Sequence, residues 1–340
     1  MKGRKHKRRP MSRKKMELLI LSTIICMMVV FCLVILPFFM VWILDIDPNR
    51  RDDTVKSTKW VTVYNENTNK TETLELEAYV AGVVAGEMPA KFEPEALKAQ
   101  AVAARTYALS KINRAKTKGN SADHPNAPLC NGTHCQVYRS EEELLKLKGQ
   151  AWIDNDWPKI LDAVKVTSGQ VMYYKGAIVE QPLFHSASGG QTENSEDVFV
   201  AALPYLRSVK SNYEKDAPHQ NETISISFNT FTRKVKATFG ANSVNPNSVK
   251  IVSRTEGGRV EKLRVGDKTI TGRNIRDLFG LRSANFTIAF DANNNIIFTT
   301  KGYGHGVGMS QWGANGMAQE GFDYKKILKH YYSGVSIESI

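Results

Sequence analysis

The chain has 340 residues, 24% of them charged, and a formal net charge of +12, which leaves room for one large or two ordinary domains. Residues 1–17 hold nine Lys or Arg against one Glu, a net +8, so only +4 is left for the remaining chain. So small a residue of charge excludes an electrostatic case for nucleic acid as a partner, and the basic arm reads as a topology signal.

Residues 18–44 run for 27 positions without a charge. At about 1.5 Å per residue a helix of that length exceeds a hydrocarbon core of roughly 30 Å, so one membrane span is expected, tilted or kinked at Pro37. The rival is a cleaved signal peptide, but its apolar region is shorter and no Ala-x-Ala site follows Leu44. The basic arm 1–17 places the amino terminus in the cytoplasm and everything after Asp45 on the other side of the membrane. Cys26 and Cys32 fall within the span as inert apolar residues. Residues 45–59 read as a short stalk. Residues 60–340 show neither a repeat nor a linker, and are expected to form one α+β domain with a central helix pair and β-hairpins.

In chain order, WVTVY (60–64) and TETLEL (71–76) alternate like paired strands. A helix follows, with Leu76, Val80, Val83 and Val84 on its buried face and Gly86 and Pro89 as its stop. Pro94 opens a second helix at the position where a missing N–H costs nothing. Its stripe of Leu97, Ala101, Ala104, Ala108 and Ile112 suits close packing. Lys116 to Asn131 reads as an ordered polar excursion. Ser140 and Glu143 form a capping box before a short helix to Lys148, and Pro158 to Val164 forms another. Hairpins are expected around Lys175-Gly176, in IVSRTEGGRVEKLRV and around DANNN. Helices are expected over Thr271 to Phe279 and from Asp323 to Tyr332.

Glu87 sits at the junction of the central helices. The negative end of the first helix and the apolar Met88, Pro89 and Phe92 both disfavour its ionised form. A carboxyl that keeps its proton near neutral pH is what a general acid requires. The competing reading is an exposed loop glutamate. Two later stretches resemble the walls of a site: FHSASGGQTE offers His185, Ser186 and Gln191, and GYGHGVGMSQWGA offers His305, Ser310 and Gln311 among glycines. Hydroxyl and amide groups beside an accessible backbone suit sugar hydroxyls and acetamido groups. The competing reading is ordinary Gly-rich turns. No Gly-Lys-Ser/Thr ending supports a phosphate loop, and no Gly-x-Ser-x-Gly elbow supports a serine triad.

Three stretches in fixed order behind one span, EAYVAGVVAGEMPAKFEPEALKAQAVAARTYAL, FHSASGGQTE and GYGHGVGMSQWGANGMA, closely resemble the stage II sporulation protein D family, to which amidase-enhancer proteins are related. The resemblance covers roughly residues 60–340. It implies a membrane-anchored lytic transglycosylase that cuts peptidoglycan glycan strands, stripped of stem peptides, during engulfment of the forespore. It implies Glu87 as the catalytic acid and then base, and sporulation proteins P and M as partners. It also implies that the domain faces the space between the two sporulation membranes. A lytic transglycosylase can use one acid where hydrolysis generally uses two carboxylates. Glu93, Glu95, Glu180 and Glu193 are the other candidates, each read as a solvated surface charge. Arg105 could bind a lactyl carboxylate or orient Glu87, against a plain ion-pair role. The alternative function is a non-catalytic, glycan-binding activator of a cell-wall amidase.

His124, Cys130, His134 and Cys135 fall within twelve residues. They match a closed structural zinc site in ligand type, although adjacent ligands at 134 and 135 depart from the usual spacing. A Cys130–Cys135 disulfide and a set of unbound side chains are the other two readings. A closed Cys₂His₂ set argues against a metal-dependent hydrolase, which needs an open coordination position. Zinc would pin the excursion beside the helix carrying Arg105.

Overall fold

The computed structural model describes residues 60–199 and 201–340, with Lys14, Leu21, Ser22, Met27 and Phe31 as isolated positions before them. The expected span over 18–44, the basic arm and the stalk lie outside the described residues. Among the described residues no helix is long and apolar enough to cross a membrane.

The architecture is mixed α/β. Strands β1 (Trp60–Asn65) and β2 (Lys70–Glu75) form the first hairpin, and α1 (Leu76–Glu87) begins directly after it. Helix α2 (Pro94–Lys118) starts with its proline at the first turn, as expected. β3 (Leu129–Cys130) returns beside β1 in parallel. Helices α3 (Glu141–Lys148), α4 (Gln150–Asn155) and α5 (Trp157–Val166) follow, α3 behind the Ser140/Glu143 capping box. Then come the hairpin β4 (Gln170–Tyr174) and β5 (Ala177–Ile178), the short β6 (Phe184–His185) and one helical turn, α6 (Ser195–Val198).

From β7 (Glu222–Ser227) the chain builds a second group: α7 (Phe228–Phe239), the strands β8 (Val249–Arg254), β9 (Val260–Val265) and β10 (Lys268–Ile270), α8 (Gly272–Phe279), β11 (Phe286–Phe290) and β12 (Asn295–Thr300). The chain then rejoins the first group with β13 (Met309–Ser310), which pairs in parallel with β6. Helices α9 (Gln311–Gln319) and α10 (Tyr324–Tyr331) and a closing strand, β14 (Ser336–Ser339), on β4 complete it.

Two apolar clusters hold this unit together. The first gathers α1, α2, β4 and the carboxy-terminal helices. Helix α2 is its axis, buried on every side from Ala99 to Ser110, which is why its small alanines extend beyond the one stripe expected. The second is aromatic and lies wholly between residues 228 and 298, where Phe231 stacks on Phe279 at 5.4 Å and Phe279 on Phe298 at 5.9 Å. Sequence periodicity showed one domain and gave no sign of this second centre.

Candidate functional site

Helix α1 does not stop at Gly86; it runs one residue further and makes Glu87 its last residue. Gly82 and Gly86, four apart, lie on one face of the helix and cut a groove for the segment 137–139. A Cβ at Gly86 would come 2.5 Å from the Val137 carbonyl oxygen, and one at Gly82 would meet the Tyr138 ring at 2.4 Å. The close approach lets the Arg139 amide donate to the Gly82 carbonyl and the Val137 amide donate to Oε1 of Glu87 at 2.7 Å.

Glu87 is half-buried, and burial raises its pKa above the ordinary glutamate value. Hydrogen bonds from Val137 and from the Gln311 side chain oppose that rise. Gln311 leads α9, is itself buried, and lies 3.5 Å from the Gln100 amide of α2. Phe92 and Trp312 pack edge-on at 4.8 Å close by in sequence on either side, and the Trp312 amide donates to the Ser186 carbonyl. Glu87, Gln311 and the neighbouring Ser186 backbone are therefore brought together from three distant stretches.

The other expected site residues go elsewhere. Arg105 is 0% exposed and donates to both carboxylate oxygens of Glu77 and to the carbonyls of Gln170 and Val164. It is a core ion pair with no donor facing Glu87. Ser310 caps α9 and donates to Glu214, a buried carboxylate that also receives Ser188, Ser211 and the Gly189 amide. Gln191 binds the Ser208 hydroxyl at 2.9 Å. His185 and His305 lie ring to ring at 5.6 Å. Burial, then the nearby Arg259, Arg276 and Arg273, hold His305 down to about 3, so it is neutral; it accepts from the Val307 amide and bonds the Phe184 carbonyl. Glu193 is not a solvated surface charge: it is 0% exposed and paired with the buried Arg259 at 3.2 Å. Glu77, Glu214 and Val137 escaped sequence reasoning. Two are partners across the fold, and the third acts through a backbone amide that every residue but proline carries.

His124, Cys130, His134 and Cys135 present one ligand atom each, all within 4.8 Å of one another. Both thiols are free. Nδ1 of His124 donates to the Ala127 carbonyl at 2.7 Å, and Nε2 of His134 faces Asp123 at 3.2 Å. These outer bonds turn Nε2 of His124 and Nδ1 of His134 toward each other, 3.2 Å apart, with Sγ of Cys135 at 3.5 Å from the first and 3.9 Å from the second. Orienting bonds of this kind are what metal-binding histidines use. The donor set fits a metal ion. Cys135 is only two residues before Val137, whose amide holds Glu87.

The model of the family described as "Stage II sporulation protein" matches residues 64–174, the stretch holding both central helices and the Cys/His cluster. Stage II sporulation protein D of Bacillus amyloliquefaciens is 42% identical over 280 residues, 82% of this chain and 78% of that protein. The protein of the same name from Bacillus subtilis (strain 168) is 41% identical over 279 residues, with the same coverage. The amidase enhancer of Bacillus subtilis (strain 168) is 29% identical over 309 residues, 76% of this chain but 40% of the relative. With the first two matched at that identity over more than two thirds of their length, the chain belongs to the stage II sporulation protein D family.

Proposed function

We propose that this protein is a lytic transglycosylase that cleaves peptidoglycan glycan strands during sporulation, anchored to the membrane by residues 18–44. The observation that carries the reading is Glu87: a half-buried carboxyl with a raised pKa, held by one backbone amide and one glutamine. Among the described residues no carboxylate is one of the groups that bond or shift it, which suits a one-acid mechanism.

In that mechanism protonated Glu87 gives its proton to the glycosidic oxygen as the bond from C1 of N-acetylmuramic acid breaks. The resulting carboxylate is stabilised by the Val137 amide and Gln311. It then takes the proton of the same sugar's 6-hydroxyl as that oxygen closes on C1. No water is consumed, Glu87 ends as it began, and the product is a 1,6-anhydro end. The partly exposed Trp312, packed on the buried Phe92, suits a sugar face. Strands stripped of stem peptides are the expected substrate, with sporulation proteins P and M as partners.

The Cys/His cluster would hold zinc through His124, Cys130, His134 and Cys135 in a closed site. When bound, zinc supplies a structural cross-link and no open coordination position. This chain's residues do the rest: the cluster fixes the start of segment 135–139, and that segment presents the Val137 amide. A second reading, a non-catalytic activator of an amidase, is favoured by the relative named amidase enhancer.

Digestion of purified, peptide-free glycan strands by the full chain, with mass spectrometry of the ends, separates them. Products lighter by one water than hydrolytic ones support the transglycosylase; reducing ends overturn it. Absence of cleavage together with stimulation of an added amidase establishes the second reading.

A further inference from the structure

A cavity of about 180 Å³ opens where the two apolar clusters meet. It is lined by Glu193, Asp197 and His305 from one side and by Arg259, Arg273 and Arg276 among others from the second. Pockets for drug-sized molecules span roughly 300–1,000 Å³, so this one has room for a single end group and not for a polymer.

Its polar groups are unequally satisfied. Asp197 accepts from Asn194 at 3.2 Å, and Glu261 accepts from Ser253 at 2.8 Å with Lys262 at 3.6 Å. Oε1 of Glu193 is taken by Arg259 and by the Thr255 hydroxyl at 2.9 Å. The arginines are left with spare donors. Arg276 has Asp277 alone, at 4.0 Å, and its buried Nε has no partner. Arg259, 3% exposed, uses its two terminal nitrogens on Glu193 and the Ser188 carbonyl, and its Nε too has no partner. One acceptor is also left over, Oε2 of Glu193. Buried donors and acceptors without partners are rare and costly, and guanidinium groups match planar or tetrahedral oxyanions. His305 is held neutral, and Glu193, Asp197 and Glu261 match the three arginines in number; Arg273 is engaged with the Val198 carbonyl at 2.6 Å, so the donors left over belong to Arg259 and Arg276.

From these groups we infer that the cavity binds a small oxyanion carrying its own hydrogen-bond donor, with Arg276 and Arg259 on the anion and Oε2 of Glu193 on the donor. Two sources have this chemistry: the carboxyl end of a peptide, whose amide is the donor, and a phosphate with its P–OH. The site is separate from Glu87 and does not depend on the reaction assigned there.

The test is titration of the full chain, in detergent, with N-acetylglycine, inorganic phosphate and acetate, read by calorimetry and by ¹⁵N shifts of the arginine Nε resonances. Saturable binding by N-acetylglycine or by phosphate, moving Arg259 and Arg276, is expected, and the tighter of the two identifies the source. Arg276→Gln should weaken it about tenfold or more, the size of a lost charged hydrogen bond, and the partly exposed side chain makes this the milder of the two arginine changes. Acetate, which lacks the donor, should bind more weakly. Absence of saturable binding, binding unchanged in Arg276→Gln, or acetate binding equal to N-acetylglycine would each overturn the assignment. If Arg276→Gln fails to fold, the Nε shifts of the unmodified chain decide.

Discussion

The amide of Val137 donates to Oε1 of Glu87 across 2.7 Å, from a segment fifty residues further along the chain. That bond favours the carboxylate while burial favours the acid, and burial prevails. A group so balanced can give a proton and take one back, as the proposed reaction requires.

The balance gives a pH prediction. The folded pKa of Glu87 lies above its unfolded value, so its contribution to stability is full below the unfolded value and is lost as pH rises through the folded one. Glu87→Gln cannot ionise and escapes the loss. Thermal melts across pH should show the variant gaining on the parent as pH rises, with no gain in acid. Its cleavage rate should fall at least ~10²-fold, the usual contribution of a general acid. Parent-like product formation by Glu87→Gln would remove Glu87 from the chemistry.

Arg105 is expected to matter for folding and not for substrate. Arg105→Ala leaves Glu77, which is partly exposed, with only the Ser168 hydroxyl and the Gly169 amide, and leaves two carbonyls without their donor, a loss of about 1–3 kcal/mol. Denaturant unfolding measures it. Should Arg105→Lys fold normally but show a large rise in KM for glycan strands, the substrate role would return.

Metal analysis of the purified chain should find about one zinc per molecule, as a closed four-ligand site holds. His124→Ala should lose it and lower the melting temperature. Because the cluster anchors the segment that ends at Val137, metal loss should also disturb the Glu87 carboxyl resonance. A metal-free protein with an intact disulfide between Cys130 and Cys135 would refute the assignment.

Topology can be checked at the stalk. With the basic arm in the cytoplasm, a Val55→Cys variant should react with a membrane-impermeant thiol reagent in intact cells, the adduct being mapped to its peptide. Protection at that position until the membrane is breached would reverse the orientation.

Much of the frame was legible because its signals are local. Pro94 at a helix start, the Ser140/Glu143 box, the Asp323 cap and the gathering of His124, Cys130, His134 and Cys135 each follow from residues a few positions apart. The raised pKa of Glu87 was legible as well, through its apolar neighbours. What escaped was decided at long range. Nothing near Glu193 predicts an arginine sixty-six positions on, and nothing near Arg105 predicts Glu77 on the preceding helix rather than a substrate carboxylate. Ser310 carried the right chemistry for a sugar site, but the fold uses it as a helix cap and a donor to Glu214.

The segment that carries the aromatic second cluster begins and ends at one place: Glu222 and Thr300 face each other in the β7–β12 ladder, where the Thr300 hydroxyl donates to the Glu222 carbonyl at 3.2 Å. Its own strands thus draw together the two halves of the first cluster, which are separated by its whole length in the chain. Closing a loop costs entropy that grows with its length, and a module that has already folded has met that cost before the halves meet. For a domain expected to emerge on the far side of a membrane from residue 60 onward, this gives an order of assembly. The Phe-rich module can complete itself during passage. The half that carries Glu87 waits for the last forty residues, because Gln311 and the helices beneath it arrive only then.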